Sequence, residues 1–335
     1  MNRVLVPVAL SAPPSPPAAG ARLQRWGGPT MGTSWSVAAL LPPDADAGAI
    51  GAGIRAVLGR VIAQMSNWEA DSDLSRFNRA PSGSWHALPA DAFTVLQAAL
   101  QVARDSGGAY DPSAGPLVDL WGFGPAPARR APPSPDDVQA ARARCGWARI
   151  EIDAAGRRAW QPGGVALDFC AIAKGFAVDA VARYLCEQGL EHHLTEIGGE
   201  LRGHGVKPDG MPWWVALEAP PGAGSDDAQQ TLVALHGLSV ATSGDYRRYF
   251  DSDGRRYAHT IDPRTGYPAS HALASVTVIH PQCMLADALS TALTVLGPDA
   301  GMAHARRHGI AARFLVRTAN GFLEHLSPAF AAMLA

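Results

Sequence analysis

The chain has 335 residues, 47% of them hydrophobic and 17% charged, with a formal net charge of −2. That apolar share suffices for a sizeable core and excludes a disordered polymer. The balanced charge offers no basic excess for gripping the phosphates of a duplex, and no apolar run approaches the roughly 20 residues of a membrane-spanning helix.

Met1 to Leu10 carries one arginine and a short apolar run broken by Pro7, a poor core for a secretory signal, and has no cysteine for a lipid anchor. Residues 1–28 therefore read as a disordered leader, followed by one functional domain over 29–335. A strand is expected over 34–41. Ile50, Ile54, Val57, Leu58, Val61 and Ile62 recur at three- and four-residue spacings and predict a helix over 47–64. A second helix is expected over 91–104, a proline-rich loop over 125–135, a helix over 136–144 and a strand over 148–153. A helix over 172–188 follows, then strands over 213–217, 231–235 and 275–280, with a Pro/Gly-rich break at 219–224. The helix expected over 285–296 is closed by Gly297-Pro298, and another runs over 298–307. Asn320-Gly321 between apolar runs at 310–318 and 322–326 predicts a terminal hairpin. Strands and helices come in irregular blocks, which favours α+β over a doubly wound parallel sheet. No G-x-G-x-x-G follows a strand, so a Rossmann dinucleotide site is not supported. Cys145, Cys170, Cys186 and Cys283 contain no C-x-x-C pair and read as small buried residues.

Several segments offer chemistry. Asp287 and Thr291 lie four apart on a predicted helix and share a face, a small patch of hard oxygens suited to Mg²⁺. The competing reading is a solvated first-turn aspartate. All but two of the 28 basic residues are arginine. One of the two lysines, Lys174, sits with Asp168 where a helix begins, a place that suits a phosphate; the bland alternative is an Asp168 N-cap and a surface lysine. Gly198-Gly199 is a turn or a point of close ligand approach, and Thr242-Ser243-Gly244-Asp245-Tyr246 a polar pocket wall or a hydroxyl-rich turn. His259, beside the Asp262-Pro263 turn, is a general base or a structural histidine. Tyr110-Asp111-Pro112 and Leu120-Trp121-Gly122-Phe123-Gly124 set aromatics among glycines, to stack a planar ligand or pack on the core.

The order of these motifs is more specific than any one of them. Met31-Gly32-Thr33, Met65-Ser66-Asn67-Trp68 and Arg76-Phe77-Asn78 precede the Tyr110 and Trp121 segments. Ala171-Ile172-Ala173-Lys174-Gly175, Ile197-Gly198-Gly199-Glu200, the Thr242 segment, His259 to Gly266 and Ala286-Asp287 to Thr291 follow. The set resembles the ApbE family of FAD:protein FMN transferases over about 29–297. The resemblance implies a two-lobed α+β fold with antiparallel sheets and the FAD site between the lobes. It implies an enzyme that uses Mg²⁺ to cleave FAD, pass FMN to a threonine hydroxyl of an acceptor flavoprotein, and release AMP. By the same resemblance Met31, Trp68, Ala109, Tyr110, Asp111, Asp168, Lys174 and His259 line the FAD site. The Ala171 carbonyl, Asp287 and Thr291 hold the metal, and His259, Asp287 and Lys174 carry the chemistry. Trp68 replaces a customary tyrosine, Cys170 a glycine and Asp119 an asparagine. The family's location is the periplasmic face of the membrane, and the missing anchor cysteine leaves the cytoplasm open. Two other readings stand beside this one: a Mg²⁺-dependent FAD pyrophosphatase with water as acceptor, and a protein that binds FAD without turnover.

Overall fold

The computed structural model describes residues 3–8, 13–222 and 230–335. Its centre is an eight-stranded sheet built from Arg22–Thr30 (β1), Thr33–Leu41 (β2), His193–Ile197 (β3), Glu200–His204 (β4), Leu238–Gly244 (β5), Leu273–His280 (β6), Ala311–Thr318 (β7) and Gly321–Leu326 (β8). Spatial order follows chain order from β1 to β8, and every neighbouring pair is antiparallel. The α+β class with antiparallel sheets is as expected.

The two-residue period of the strands divides the sheet's side chains between two cores. Val37, Ala39 and Leu41 pack with the long helices Ala47–Met65 (α1), Ala90–Asp105 (α2) and Ala173–Glu187 (α3). Ala38, Val240 and Ile279 face the opposite way, onto Leu5, Trp213, Val233 and Phe330. That second layer is a three-stranded sheet in which Thr231–Leu235 pairs with Arg3–Leu5 on one side and Trp213–Ala216 on the other. The fourth long helix, Cys283–His308 (α4), is broken at Gly297-Pro298, where Gly297 has a non-helical backbone with φ +81°, so the expected helices over 285–296 and 298–307 are its two arms and the break falls where the sequence placed it.

Local signals explain the helix starts. The Asp46 carboxylate accepts from the Gly48 and Ala49 amides at 2.8 and 3.1 Å and caps α1. The buried stripe of α1 is Ile50, Ile54, Val57, Leu58, Val61 and Met65, a helical spacing. α3 meets α4 at Gly175, where a Cβ would lie 2.3 Å from the Cys283 carbonyl oxygen. Backbone rather than a pliable side chain fills that space, so Gly175→Ala should force the helices apart. The expected cost is about 2 kcal/mol, read as a lowered melting temperature together with weakened ligand binding.

Four expectations differ from the structure. The boundary at residue 28 falls inside β1, and residues 3–5 and 22–28 are strand rather than disordered leader. The expected strand over 148–153 is a short 3₁₀ turn, Trp147–Arg149, followed by the two-residue strand Ile152–Asp153. In the terminal hairpin Thr318 pairs with Gly321, so Ala319 and Asn320 form the loop and the register is one residue off the Asn-Gly expectation. Of the cysteines, Cys283 alone is buried; Cys145 is half-buried, Cys170 and Cys186 are exposed, and all four are free thiols. Residues 223 and 224 of the expected 219–224 loop lie outside the described residues. No helix among the described residues is long and apolar enough to cross a membrane.

Candidate active site

The first turns of α3 and α4, the start of β4 and the loops around them enclose a cavity of about 380 Å³. Its floor is charged. Lys174 Nζ, from the first turn of α3, lies 2.8 Å from Glu200 Oε1 and 3.6 Å from Asp287 Oδ2. Asp287, on α4, accepts the Gly175 amide on the same Oδ2 at 3.0 Å, so one helix's free N-terminal donor is satisfied by the other helix's carboxylate. That bond depends on the close approach at Gly175. Thr291 follows one helical turn beyond Asp287 and lines the same cavity.

Burial raises the pKa of Asp287, with Lys174 and the Gly175 amide opposing it. Burial likewise raises Glu200, aided by the charge of Asp287 and opposed by Lys174. For Lys174 burial acts against the charge, but the two carboxylates outweigh it and hold its pKa above the ordinary lysine value. The ammonium is firmly charged, while both carboxylates are strained by desolvation.

The walls carry most of the residues expected from the sequence. Ala109, Tyr110 and Asp111 come from the loop after α2, Asp168 and Ala171 from the segment entering α3, and Met31 from the hairpin loop between β1 and β2. Met31 and Gly32 both have positive φ, +48° and +71°, as a two-residue hairpin loop of this hand requires. The Tyr110 hydroxyl and Glu200 Oε2 are buried with no hydrogen-bond partner. Both residues line the cavity, so its wall holds two buried polar atoms without a partner. Burial and the nearby Asp287, Asp168 and Asp111 carboxylates push the Tyr110 pKa well up, so its phenol stays a donor. Asp111 has a bracing role: its Oδ1 accepts from the Ser113 amide and hydroxyl at 2.8 and 2.6 Å, and its Oδ2 from the Trp147 amide at 3.1 Å. Asp168 Oδ1 accepts the Cys170 amide at 2.7 Å, in the turn before α3 rather than as the helix's own N-cap.

His259 enters from the Tyr249–Ser252/Arg255–Ala258 hairpin, whose base closes where the Arg248 carbonyl accepts the His259 amide at 3.0 Å. His259 Nδ1 lies 3.1 Å from that same carbonyl. A carbonyl only accepts, so Nδ1 carries the proton and Nε2 keeps a lone pair. Burial first, then the charge of Arg248, lowers the His259 pKa to about 4, with Lys174 and Arg247 adding to the effect. Phe123 meets the ring edge-on at 6.3 Å.

Trp68 is the one expected site residue that does not line the cavity. It follows α1 in a turn held by Ser66 Oγ, which accepts the Trp68 amide at 3.1 Å, and the residue is 58% exposed. Conversely, Glu200, Arg247 and Arg248 line the cavity and were not among the candidates. Arg247 donates to the Gly198 carbonyl at 2.7 Å and pairs with Glu218, and Arg248 donates to the Phe123 carbonyl at 2.9 Å. The adjacent arginines directly after the Thr242–Tyr246 segment were the available signal. Among the described residues no group of three or more His, Cys, Asp or Glu side chains forms a metal cluster. The residues expected to hold a metal, Asp287, Thr291 and Ala171, all line the cavity; a carboxylate, a hydroxyl and a backbone carbonyl as donors would suit not zinc but a hard cation that keeps waters and phosphate oxygens as its other ligands.

The ApbE family model matches residues 31–314. A FAD:protein FMN transferase from Vibrio cholerae serotype O1 is 40% identical over 304 residues, covering 90% of each chain. One from Haemophilus influenzae is 40% identical over 314 residues, covering 90% of this chain and 89% of that one. Among solved structures, the apo form of Pseudomonas stutzeri flavinyl transferase ApbE matches with a TM-score of 0.86 at 43% identity, covering 93% of this chain and 97% of that one. The Vibrio cholerae flavin transferase ApbE matches with a TM-score of 0.86 at 38% identity, covering 94% of this chain and all of that one. With this match and the charged cavity inside it, the chain belongs to the ApbE family.

Proposed function

We propose that this chain transfers FMN from FAD to a threonine hydroxyl of an acceptor flavoprotein, with Mg²⁺, and releases AMP. The observation that carries the reading is that Lys174, Asp287, Thr291, Ala171 and His259 line one cavity. Transfer of a phosphoryl group asks a protein mainly for charge neutralisation and alignment, and those residues offer both. Asp287, Thr291 and the Ala171 carbonyl would hold Mg²⁺, which when bound neutralises charge on the pyrophosphate oxygens. Lys174 sets a fixed positive charge beside the phosphates, and the Tyr110 hydroxyl supplies a neutral donor. The free Nε2 of His259 takes the proton of the acceptor threonine as its Oγ bonds to the FMN phosphorus and the bond from that phosphorus to the AMP oxygen breaks.

Incubation with FAD, Mg²⁺ and a candidate flavoprotein subunit tests this. A fluorescent acceptor band with equimolar AMP is the expected result. AMP without a labelled band would transfer the reading to FAD pyrophosphatase, and bound FAD with neither product would leave a binding protein.

Met31 gives a separate check on substrate contact. Its left-handed backbone costs about 1 kcal/mol in a residue other than glycine, and Met31→Gly relieves that while adding unfolded-state entropy of similar size. The expected result is an unchanged melting temperature with FAD affinity several-fold weaker. Unchanged affinity in a flavin-binding titration would remove Met31 from the substrate contacts.

A further inference from the structure

Glu200 opens β4 directly after the Gly198-Gly199 turn and is 3% exposed. Burying a carboxylate is costly, and an apolar residue of similar size is often at least as stabilising. What Glu200 does to its neighbours accounts for its presence better than stability does. Lys174 Nζ stands 2.8 Å from Glu200 Oε1 and 3.6 Å from Asp287 Oδ2, so the ammonium is drawn toward the glutamate. With both carboxylates charged the three groups carry one net negative charge. Without the charge of Glu200, Asp287 becomes the ammonium's nearest anionic partner, and the remaining pair is neutral. A cation approaching Asp287 would then have to displace the ammonium.

We propose that Glu200 is a positioning residue that holds the Lys174 ammonium to itself at 2.8 Å, keeps it from closing on Asp287 beyond the present 3.6 Å, and so leaves the aspartate open to a divalent cation. This rests on the reading of Asp287 as a cation ligand. It assigns Glu200 no contact with the cation, since its effect passes through Lys174.

Mn²⁺ binding to the full chain without FAD, followed by the electron paramagnetic resonance of free Mn²⁺, tests it. Glu200→Gln keeps the shape and removes the charge, and should weaken Mn²⁺ by about tenfold or more, a modest demand on a unit charge at this range. Adding Lys174→Met to that variant removes the competitor and should restore affinity to within about threefold of the wild type. Equal affinity of wild type and Glu200→Gln overturns the proposal. So does a double variant as weak as Glu200→Gln, because Glu200 would then act on the cation directly. If Glu200→Gln does not fold, Lys174→Met alone decides: affinity at or above that of the wild type supports the proposal, and weaker binding overturns it. Should wild type and Asp287→Asn bind Mn²⁺ alike, the cation reading itself fails and takes the proposal with it.

Discussion

Asp287→Asn is expected to cut FMN transfer and AMP release together, by about a thousandfold or more, while the protein stays folded. The size follows from losing the one carboxylate in the proposed cation-binding set, beside phosphates whose charge must be offset in a low-dielectric site. Folding survives because asparagine keeps an oxygen for the Gly175 amide, which Asp287 accepts at 3.0 Å, and Lys174 keeps Glu200 at 2.8 Å. Asp287→Ala is the harsher change, since it leaves that amide without its acceptor at a cost of about 1–3 kcal/mol. Linkage adds a check that does not depend on turnover. Burial raises the folded pKa of Asp287 above its unfolded value, so the unfolded state releases this proton first. Stability contributed by this group is present below the unfolded pKa and is lost as pH rises through the folded one. Asp287→Asn should therefore melt at or above the wild-type temperature at neutral pH without added cation. Mg²⁺ should raise the melting temperature of the wild type and not of the variant. Wild-type turnover in the variant, with metal still required, would remove Asp287 from the site.

Which parts of this molecule were legible in the sequence depends on whether the signal was local. The apolar stripe of α1 follows from spacing alone, and the stop of the helix before the kink follows from Gly297-Pro298. β1 hid because Arg22–Thr30 contains Gly27-Gly28-Pro29, which reads as a loop; at the sheet's edge, with one side unpaired, such residues are tolerated. Arg3–Leu5 is too short for any period to show, and it is a strand only because Thr231–Leu235 lies beside it. In the site, Lys174 stood out as a lysine in an arginine-rich chain, and Asp287 and Thr291 as a helical pair. Glu200 did not, because a glutamate after Gly-Gly looks like an ordinary turn residue. Only tertiary structure brings it to Lys174, 26 positions away, and buries it there. Trp68 was legible as a motif position but not in its setting: its own turn holds it in an exposed place, outside the residues that line the cavity.

His259→Ala should retain FAD binding and lose protein flavinylation by about 10²–10⁴-fold, the range for a general base, with slow FAD hydrolysis reduced less. The asymmetry follows from the proposed roles: a threonine hydroxyl needs its proton removed as it attacks, whereas the phosphate contacts would come from Lys174 and its neighbours. The ring is held for that task, since Nδ1 donates to the Arg248 carbonyl and Nε2 is left to accept. The sequence leads one to expect a rise in activity with pH near the unperturbed histidine value of about 6.5. The structure moves that expectation, because burial and Arg248 lower the pKa to about 4. The imidazole is then neutral at every pH above about 5, and kcat/KM, which reports the free enzyme, should be flat from about pH 6 to 8 as far as His259 governs it. The acid limb should appear only as pH falls toward 4. A limb at about 6.5 that vanishes in His259→Ala would show that the ring is more solvated than its surroundings indicate. The competing role is purely structural: both the amide and Nδ1 of His259 meet one carbonyl at the base of the hairpin, and the ring packs on Phe123. Alanine keeps the amide bond and loses the rest. If bracing were all that His259 did, FAD binding, hydrolysis and transfer would fall in parallel, and measuring the three on one preparation separates the two roles.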